Sequence, residues 1–308
     1  MYDIVIIGGG PAGSAAAVYA ARKQMKVVLI TEFFGGQSVV SDDIQNWIGE
    51  KSISGIELAK KLENHVRSFE KIEIVTGDKI NGISKIDKGF LVVSEGGKKF
   101  ETKTVLMTLG AHRKKLGILG EDKFNGKGVA YCATCDAPLF TGKEVVVVGG
   151  GNAGLESVVD LIPYAYKIYL IVRSDSLKGD KIMQEAVLSN KKVTVIYTAD
   201  SKEIKGNGFV EKFIYIDKKD NQEKELSVQG VFVEIGSVPS SGLVKDLVDL
   251  NERGEIIVDH KTQRSSLTGI WVAGDVGDGL YKQNNISAGD AVKAVLNIDQ
   301  YLNKGKGV

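Results

Sequence analysis

The chain holds two cysteines, and they stand together as Cys132-Ala133-Thr134-Cys135, followed at once by Asp136. A C-x-x-C pair in an α/β chain reads as a redox dithiol before anything else. Zinc would need four suitable ligands, and beyond this pair only the scattered His65, His112 and His260 are on offer, so no metal is expected. Two glycine fingerprints flank the pair, Gly8-Gly9-Gly10-Pro11-Ala12-Gly13 near the start and Gly149-Gly150-Gly151-Asn152-Ala153-Gly154 after it. Such glycines let backbone N–H groups approach a pyrophosphate lying at the positive end of a helix. A dithiol between two nucleotide sites suggests electrons passing from a nicotinamide through a flavin to a disulfide.

Those residues need strands and helices to hold them, and an internal repeat supplies both. Shifted by 141 residues, Ile4-Val5-Ile6-Ile7 falls on Val145-Val146-Val147-Val148, and Gly8, Gly10 and Gly13 fall on Gly149, Gly151 and Gly154. Without a gap, Val27-Val28-Leu29-Ile30 then falls on Ile168-Tyr169-Leu170-Ile171. Each copy reads as a buried strand, a glycine turn, a small-residue helix and a second buried strand, which is one βαβ unit used twice. Between the copies, 72–75, 89–94 and 105–109 are expected to be strands; a similar meander is expected over 193–216 with a strand at 231–235. Lys218 to Lys224 reads as an exposed hairpin, 269–275 as a short strand, and 287–302 as the closing helix. The expected fold is α/β, with two Rossmann-like three-layer dinucleotide-binding domains, the second inserted into the first. Its boundaries are 1–113 with 240–308 for an FAD domain, and 114–239 for an NAD(P)H domain carrying the dithiol.

The copies differ where nucleotide identity is read. Glu32 and Arg173 occupy equivalent places in the repeat. A carboxylate there accepts hydrogen bonds from a ribose hydroxyl, whereas an arginine accommodates a 2′-phosphate. The first copy therefore suits FAD and the second leans toward NADPH, with Lys178 as a further positive charge. Hydrophobic residues make up 43% and charged residues 26% of the 308, ordinary for a chain that buries its own core. A net charge of +1 gives no general attraction to nucleic acid or anionic membrane, and the basic tail Lys304-Gly305-Lys306 is too short to change that. The opening Met1–Gly8 lacks a basic leader and reads as a strand rather than a secretion signal. No stretch approaches the ~18 apolar residues of a membrane helix. Two cysteines in such a chain fit a reducing cytosol, so a cytoplasmic location is expected.

The chain resembles the low-molecular-weight thioredoxin reductases, and also the reductase portion of the flavoprotein component of alkyl hydroperoxide reductase. The carrying segments are the two glycine fingerprints, Gly35-Gly36-Gln37, Cys132 to Asp136, Ala273-Gly274-Asp275 and Tyr281-Lys282-Gln283. The resemblance implies that Asp275 bonds the flavin ribityl chain beside Gly274, and that Lys282, Gln283 and Asn284 lie against the isoalloxazine. It implies that Gln37 and Asn46 line the FAD site, and that the second domain rotates to present Cys135 to the flavin or Cys132 to a protein substrate. Two departures stand out: Val172-Arg173-Ser174 replaces the reductases' His-Arg-Arg run, and Thr108-Leu109-Gly110 replaces Ala-Thr-Gly. A third expectation is that no thioredoxin-like domain precedes the flavin domain. A separate protein is therefore expected as electron acceptor.

The expected activity is that of an NAD(P)H-dependent thioredoxin-disulfide reductase acting on a thioredoxin- or glutaredoxin-like protein, and the resemblance alone implies a homodimer. Cys132, as thiolate, attacks the substrate disulfide, Cys135 resolves the mixed disulfide, and Asp136 is the adjacent candidate acid. FAD and NADPH are the expected cofactors, with NADH left open. Alternatives keep the dithiol but change its partners: an NADH-dependent reductase feeding a peroxiredoxin, or a ferredoxin-dependent enzyme. A flavin-based redox sensor is the alternative of a different class.

Overall fold

The computed structural model describes residues 1–41 and 43–303; the basic tail at Lys304–Lys306 lies outside them. The described chain forms two compact units. One comprises Trp47–His112 with the chain before Asp43 and after Ser237; the other comprises Asp43–Asn46 and Arg113–Ser237.

In the first unit, β1 (Tyr2–Gly9), α1 (Pro11–Arg22) and β2 (Val27–Phe34) form the first copy of the repeat. The strands β3 (Ile72–Thr76) and β6 (Lys99–Met107) flank them in parallel, giving the order β3-β2-β1-β6. Ile4 and Ile6 of β1 pack among the α1 alanines Ala16, Ala17 and Ala20, and against Ala291 and Ile298 of α6 (Asn284–Asn303). Val5 and Ile7 enter a second core with Val92, Val105, Val258 and Val272. A sheet buried on both faces explains the unbroken β-branched runs in these strands.

The strands β4 (Ile80–Ile86) and β5 (Gly89–Ser94) pair antiparallel, and β5 pairs antiparallel with the first half of β6. No β4 residue is fully buried, so β4 has none of the apolar alternation that marks a strand. The run expected at 105–109 starts earlier, at Lys99, and ends at Met107. The closing helix starts at Asn284 rather than Ser287. The helix α2 (Gly55–Arg67) opens with a capping box, in which Ser54 Oγ accepts from Glu57 N–H and the Glu57 carboxylate accepts from Ser54 N–H. The Ser-x-x-Glu signal for it is present in the sequence.

The second unit carries the parallel order β11-β10-β9-β15-β8. These strands are β8 (Val129–Ala130), β9 (Glu144–Val148), β10 (Lys167–Val172), β11 (Val193–Tyr197) and β15 (Gly230–Val233). One face is covered by α3 (Ala133–Asp136), α4 (Asn152–Leu161) and α5 (Lys181–Ser189). The other face packs on the meander of β12 (Ala199–Lys205), β13 (Lys212–Asp217) and β14 (Gln222–Ser227). Three layers result. Of the meander expected over 193–216, β11 instead joins the parallel sheet beside β10. The expected hairpin at 218–224 joins β13 to β14, where Lys224 pairs with Asp217 and Asp220.

The chain passes between units at 112/113 and 237/238, one and two residues before the expected switches. Asp43–Asn46, expected with the first domain, belongs with the second unit. The passages are short strands, β7 (Ala111–Arg113) and β16 (Ser237–Pro239), which pair with each other. A boundary inside a strand pair carries no proline or glycine mark of its own. On the first unit's side Ser240 N–H donates to Gly110 O at 3.0 Å; on the second unit's side Lys114 N–H donates to Gly236 O at 3.0 Å.

Candidate redox and nucleotide sites

The first glycine turn is fixed by close backbone packing. A Cβ on Gly13 would lie 1.7 Å from Gly8 O, and one on Gly8, at φ +114°, would lie 2.4 Å from Thr108 O. Only glycine lets α1 approach β1 this closely. The helix starts after Gly10 with Pro11 in its first turn, no side-chain cap and no acidic residue there. Its leading N–H groups and dipole are thus available to an anion.

A cleft of about 360 Å³ opens over this turn. Gly8, Gly10, Pro11 and Ala12 line it, with Glu32 near the end of β2 and Gln37 after it, and Gly274, Asp275 and Asn284 before and at the start of α6. Their side chains are braced: Ser287 Oγ donates to Asp275 Oδ1 at 3.2 Å, and Ser38 Oγ to Asn284 Oδ1 at 3.1 Å. Glu32 pairs with Lys79 at 3.0 Å, an exposed pair of small energetic value. In the cleft wall, Ser240 Oγ is buried without a partner among the described residues. An orphan hydroxyl beside an uncapped helix and a glycine cradle fits a dinucleotide such as FAD.

Ser240, Ser287 and Lys79 join the cleft without any motif that marks them in the sequence. His112, expected as a surface or satisfied core residue, also lines the cleft, with Nδ1 3.3 Å from Gln37 Nε2. Its place next to the expected domain switch is the only sequence hint. Gly13 lies behind the turn as a packing residue. Lys282 and Gln283, expected against the flavin ring, are not among the lining residues. Lys282 Nζ instead donates to the backbone oxygens of Asp275 and Gly277 and pairs with Glu255 at 3.0 Å. That position buttresses the Asp275 turn from behind. Asn46 also lies off the cleft, with Nδ2 3.8 Å from Cys135 Sγ.

The second glycine turn repeats the first. A Cβ on Gly154 would meet Gly149 O at 1.9 Å, and one on Gly149, at φ +142°, would meet Glu234 O at 2.2 Å. The helix α4 also starts from a glycine, Gly151, without a side-chain cap, and Asn152 and Ala153 form its first turn. The Asn152 side chain is committed within the protein, since its Oδ1 accepts from Asp180 N–H at 2.7 Å. Arg173 follows β10, is exposed, and pairs with Asp200 at 3.2 Å; Lys218 holds the other oxygen of Asp200 at 2.8 Å. Lys178 N–H donates to Gly150 O, which ties its loop to the turn.

Cys132 and Cys135 form a disulfide with Cα atoms 5.3 Å apart. Cys132 stands at the start of α3, where its carbonyl accepts from the N–H groups of Cys135 and Asp136 at 3.2 and 3.0 Å. Thr134 Oγ1 donates to Asp160 of α4 at 2.6 Å, and Ala133 N–H donates to Glu234 Oε1 at 3.4 Å. The redox turn is thereby anchored to the helix and the strand end that flank the second glycine turn. Asp136 follows Cys135 directly in the chain.

Residues 2–291 match the pyridine nucleotide-disulphide oxidoreductase family, and the chain belongs to it. The chain is similar to the solved thioredoxin reductase of Streptococcus pyogenes MGAS5005, at 36% identity and a TM-score of 0.92 over 99% of both chains. It is 39% identical over 301 residues to a protein of Bacillus subtilis (strain 168) named NADH dehydrogenase, covering 98% of this chain and 58% of that one. It is 38% identical to an alkyl hydroperoxide reductase component of Staphylococcus aureus (strain MRSA252), again covering 98% of this chain and 59% of that one. The chain thus spans under two thirds of the length of these curated relatives.

Proposed function

We propose that the protein is an FAD-dependent disulfide reductase. In this reading it passes two electrons from NAD(P)H to the Cys132–Cys135 disulfide, and from the resulting dithiol to a thioredoxin- or glutaredoxin-like protein. The carrying observation is a closed C-x-x-C disulfide in the same unit as one uncapped glycine turn, with a second such turn under a separate cleft. FAD, when bound, supplies the two-electron relay between nicotinamide and sulfur. The roles of Gly8, Gly10, Pro11 and Ala12 are to seat its pyrophosphate, that of Glu32 to accept from its ribose, and that of Asp275 to hold its ribityl hydroxyls. Reduction breaks the 132–135 bond and leaves two thiols after uptake of two electrons and two protons. Cys132 thiolate then attacks the partner disulfide, and Cys135 attacks Cys132 Sγ and releases the reduced partner. Asp136 gives a proton to the departing thiolate and recovers it. A cytoplasmic homodimer belongs to the same reading, on the resemblance to thioredoxin reductases.

A second reading keeps this chemistry with NADH as donor and a peroxiredoxin-type partner. The names of the curated relatives favour it. Anaerobic reduction of the purified flavoprotein separates the readings. Rapid bleaching of the flavin band by NADPH alone supports the thioredoxin reductase reading, and rapid bleaching by NADH supports the second. If only dithionite bleaches it, a protein donor such as ferredoxin replaces both. Cys135→Ser should retain flavin and its bleaching while losing all turnover of disulfide proteins; retained turnover would eliminate the dithiol relay. Normal bleaching of the unaltered protein with negligible turnover of every disulfide protein offered would point to a redox sensor.

A further inference from the structure

Among the carboxylates of the second unit, Glu234 is buried where no role has been given to it. It follows β15 directly, is 7% exposed, and its N–H donates to Val148 O at the end of β9. Four groups face its carboxyl. Ala133 N–H, between the two cysteines, donates to Oε1 at 3.4 Å. Ser157 of α4 bonds it, Arg113 of β7 is the nearby cation, and Asp136 of α3 the nearby anion. Asp160, on the same helix as Ser157, holds the adjoining Thr134. Burial outweighs the hydrogen bonds and Arg113, and pushes the Glu234 carboxyl up to about 7.

We infer that Glu234 is a positioning residue for the dithiol, holding the first turn of α3 through Ala133 N–H and setting by its charge how readily the reduced cysteines ionise. A carboxylate buried near that turn opposes a thiolate there, and a neutral carboxyl does not. Because Glu234 changes charge close to neutrality, the nucleophile is curbed as the pH rises through that range. The two ionisations are coupled, so neither follows a simple curve.

This deepens the dithiol reading, and its test is independent of turnover. The full-length protein is reduced with dithiothreitol, the reductant is removed without air, and the rate of alkylation by iodoacetamide is followed from acid to alkaline pH. In the unaltered protein the profile should flatten around pH 7, where Glu234 becomes anionic. Glu234→Gln should remove the flattening, displace the rise to lower pH and speed alkylation at neutral pH by roughly three- to tenfold. Glu234→Asp, which restores the charge, should bring the flattening back; a purely structural role would change stability without moving the curve. Superimposable profiles for the unaltered protein and Glu234→Gln overturn the inference. Should Glu234→Gln not fold, Arg113→Gln serves instead: losing the facing cation should move the flattening to higher pH, and an unmoved profile counts against Glu234. Lost disulfide turnover with these profiles intact would bear on the proposed function alone.

Discussion

At the scale of single residues, Arg173 shows how a weak partner leaves a cation available. Its pairing with Asp200 is exposed, with the arginine side chain 85% accessible, so separating the two costs well under about 1 kcal/mol. A charge-assisted contact to a 2′-phosphate is worth about 1.5–3 kcal/mol, enough to draw Arg173 away. Arg173→Ala should therefore raise the Michaelis constant for NADPH roughly ten- to hundredfold and leave that for NADH nearly unchanged. Asp200→Asn should lower the NADPH constant by a few-fold, since it frees both Arg173 and Lys218. Steady-state kinetics with each nucleotide decides; equal effects on both would remove Arg173 from the choice. The repeat singles Arg173 out in the sequence by putting it at the place Glu32 holds in the first copy. Glu234 is not singled out in this way. It lies 101 residues from Ala133, and no local pattern announces that a strand end and a redox turn share a hydrogen bond. Lys282 stands two residues before Asn284 of the cleft lining, yet its own amine bonds Asp275 O and pairs with Glu255, contacts that no local pattern announces.

At the scale of elements, the two strand–glycine–helix turns carried most of what the sequence revealed. Their glycines are required twice over, by positive φ at Gly8 and Gly149 and by the contact under 2 Å that a Cβ would make at Gly13 and Gly154. Because each contact is with backbone, no rotamer change relieves it. Gly13→Ala should yield a protein with little or no bound flavin. Gly154→Ala should keep its flavin colour but bleach slowly with either nucleotide, while dithionite still bleaches it. Visible absorbance of the purified variants and anaerobic titration test the pair, and flavin loss in both would mean that the turns do not serve separate ligands. What escaped notice at this scale was structure without strong periodicity. The half-exposed β4 had no apolar stripe, and β11 could not be told from the neighbouring meander because a short apolar run does not reveal which sheet it joins.

At the scale of the whole molecule, repetition by 141 residues set the plan before any side chain was considered. The two units nevertheless diverge around the shared βαβ core. Both cover one sheet face with helices, while the second packs a three-stranded meander on the other. The bond from Ser240 N–H to Gly110 O carries a consequence for how such a chain is assembled. The inserted residues behave as a parenthesis whose opening and closing marks already touch, so the host sentence reads on without them. A shortened chain that joins Ala111 to Pro239 through a turn of about two residues should still fold around its cleft and purify yellow. A colourless but folded product would show that the host leans on its guest. On this logic the guest is a cassette: a different catalytic unit, ending in two strands that can pair, could be spliced between the same two points without rewriting the flavin-binding text around it.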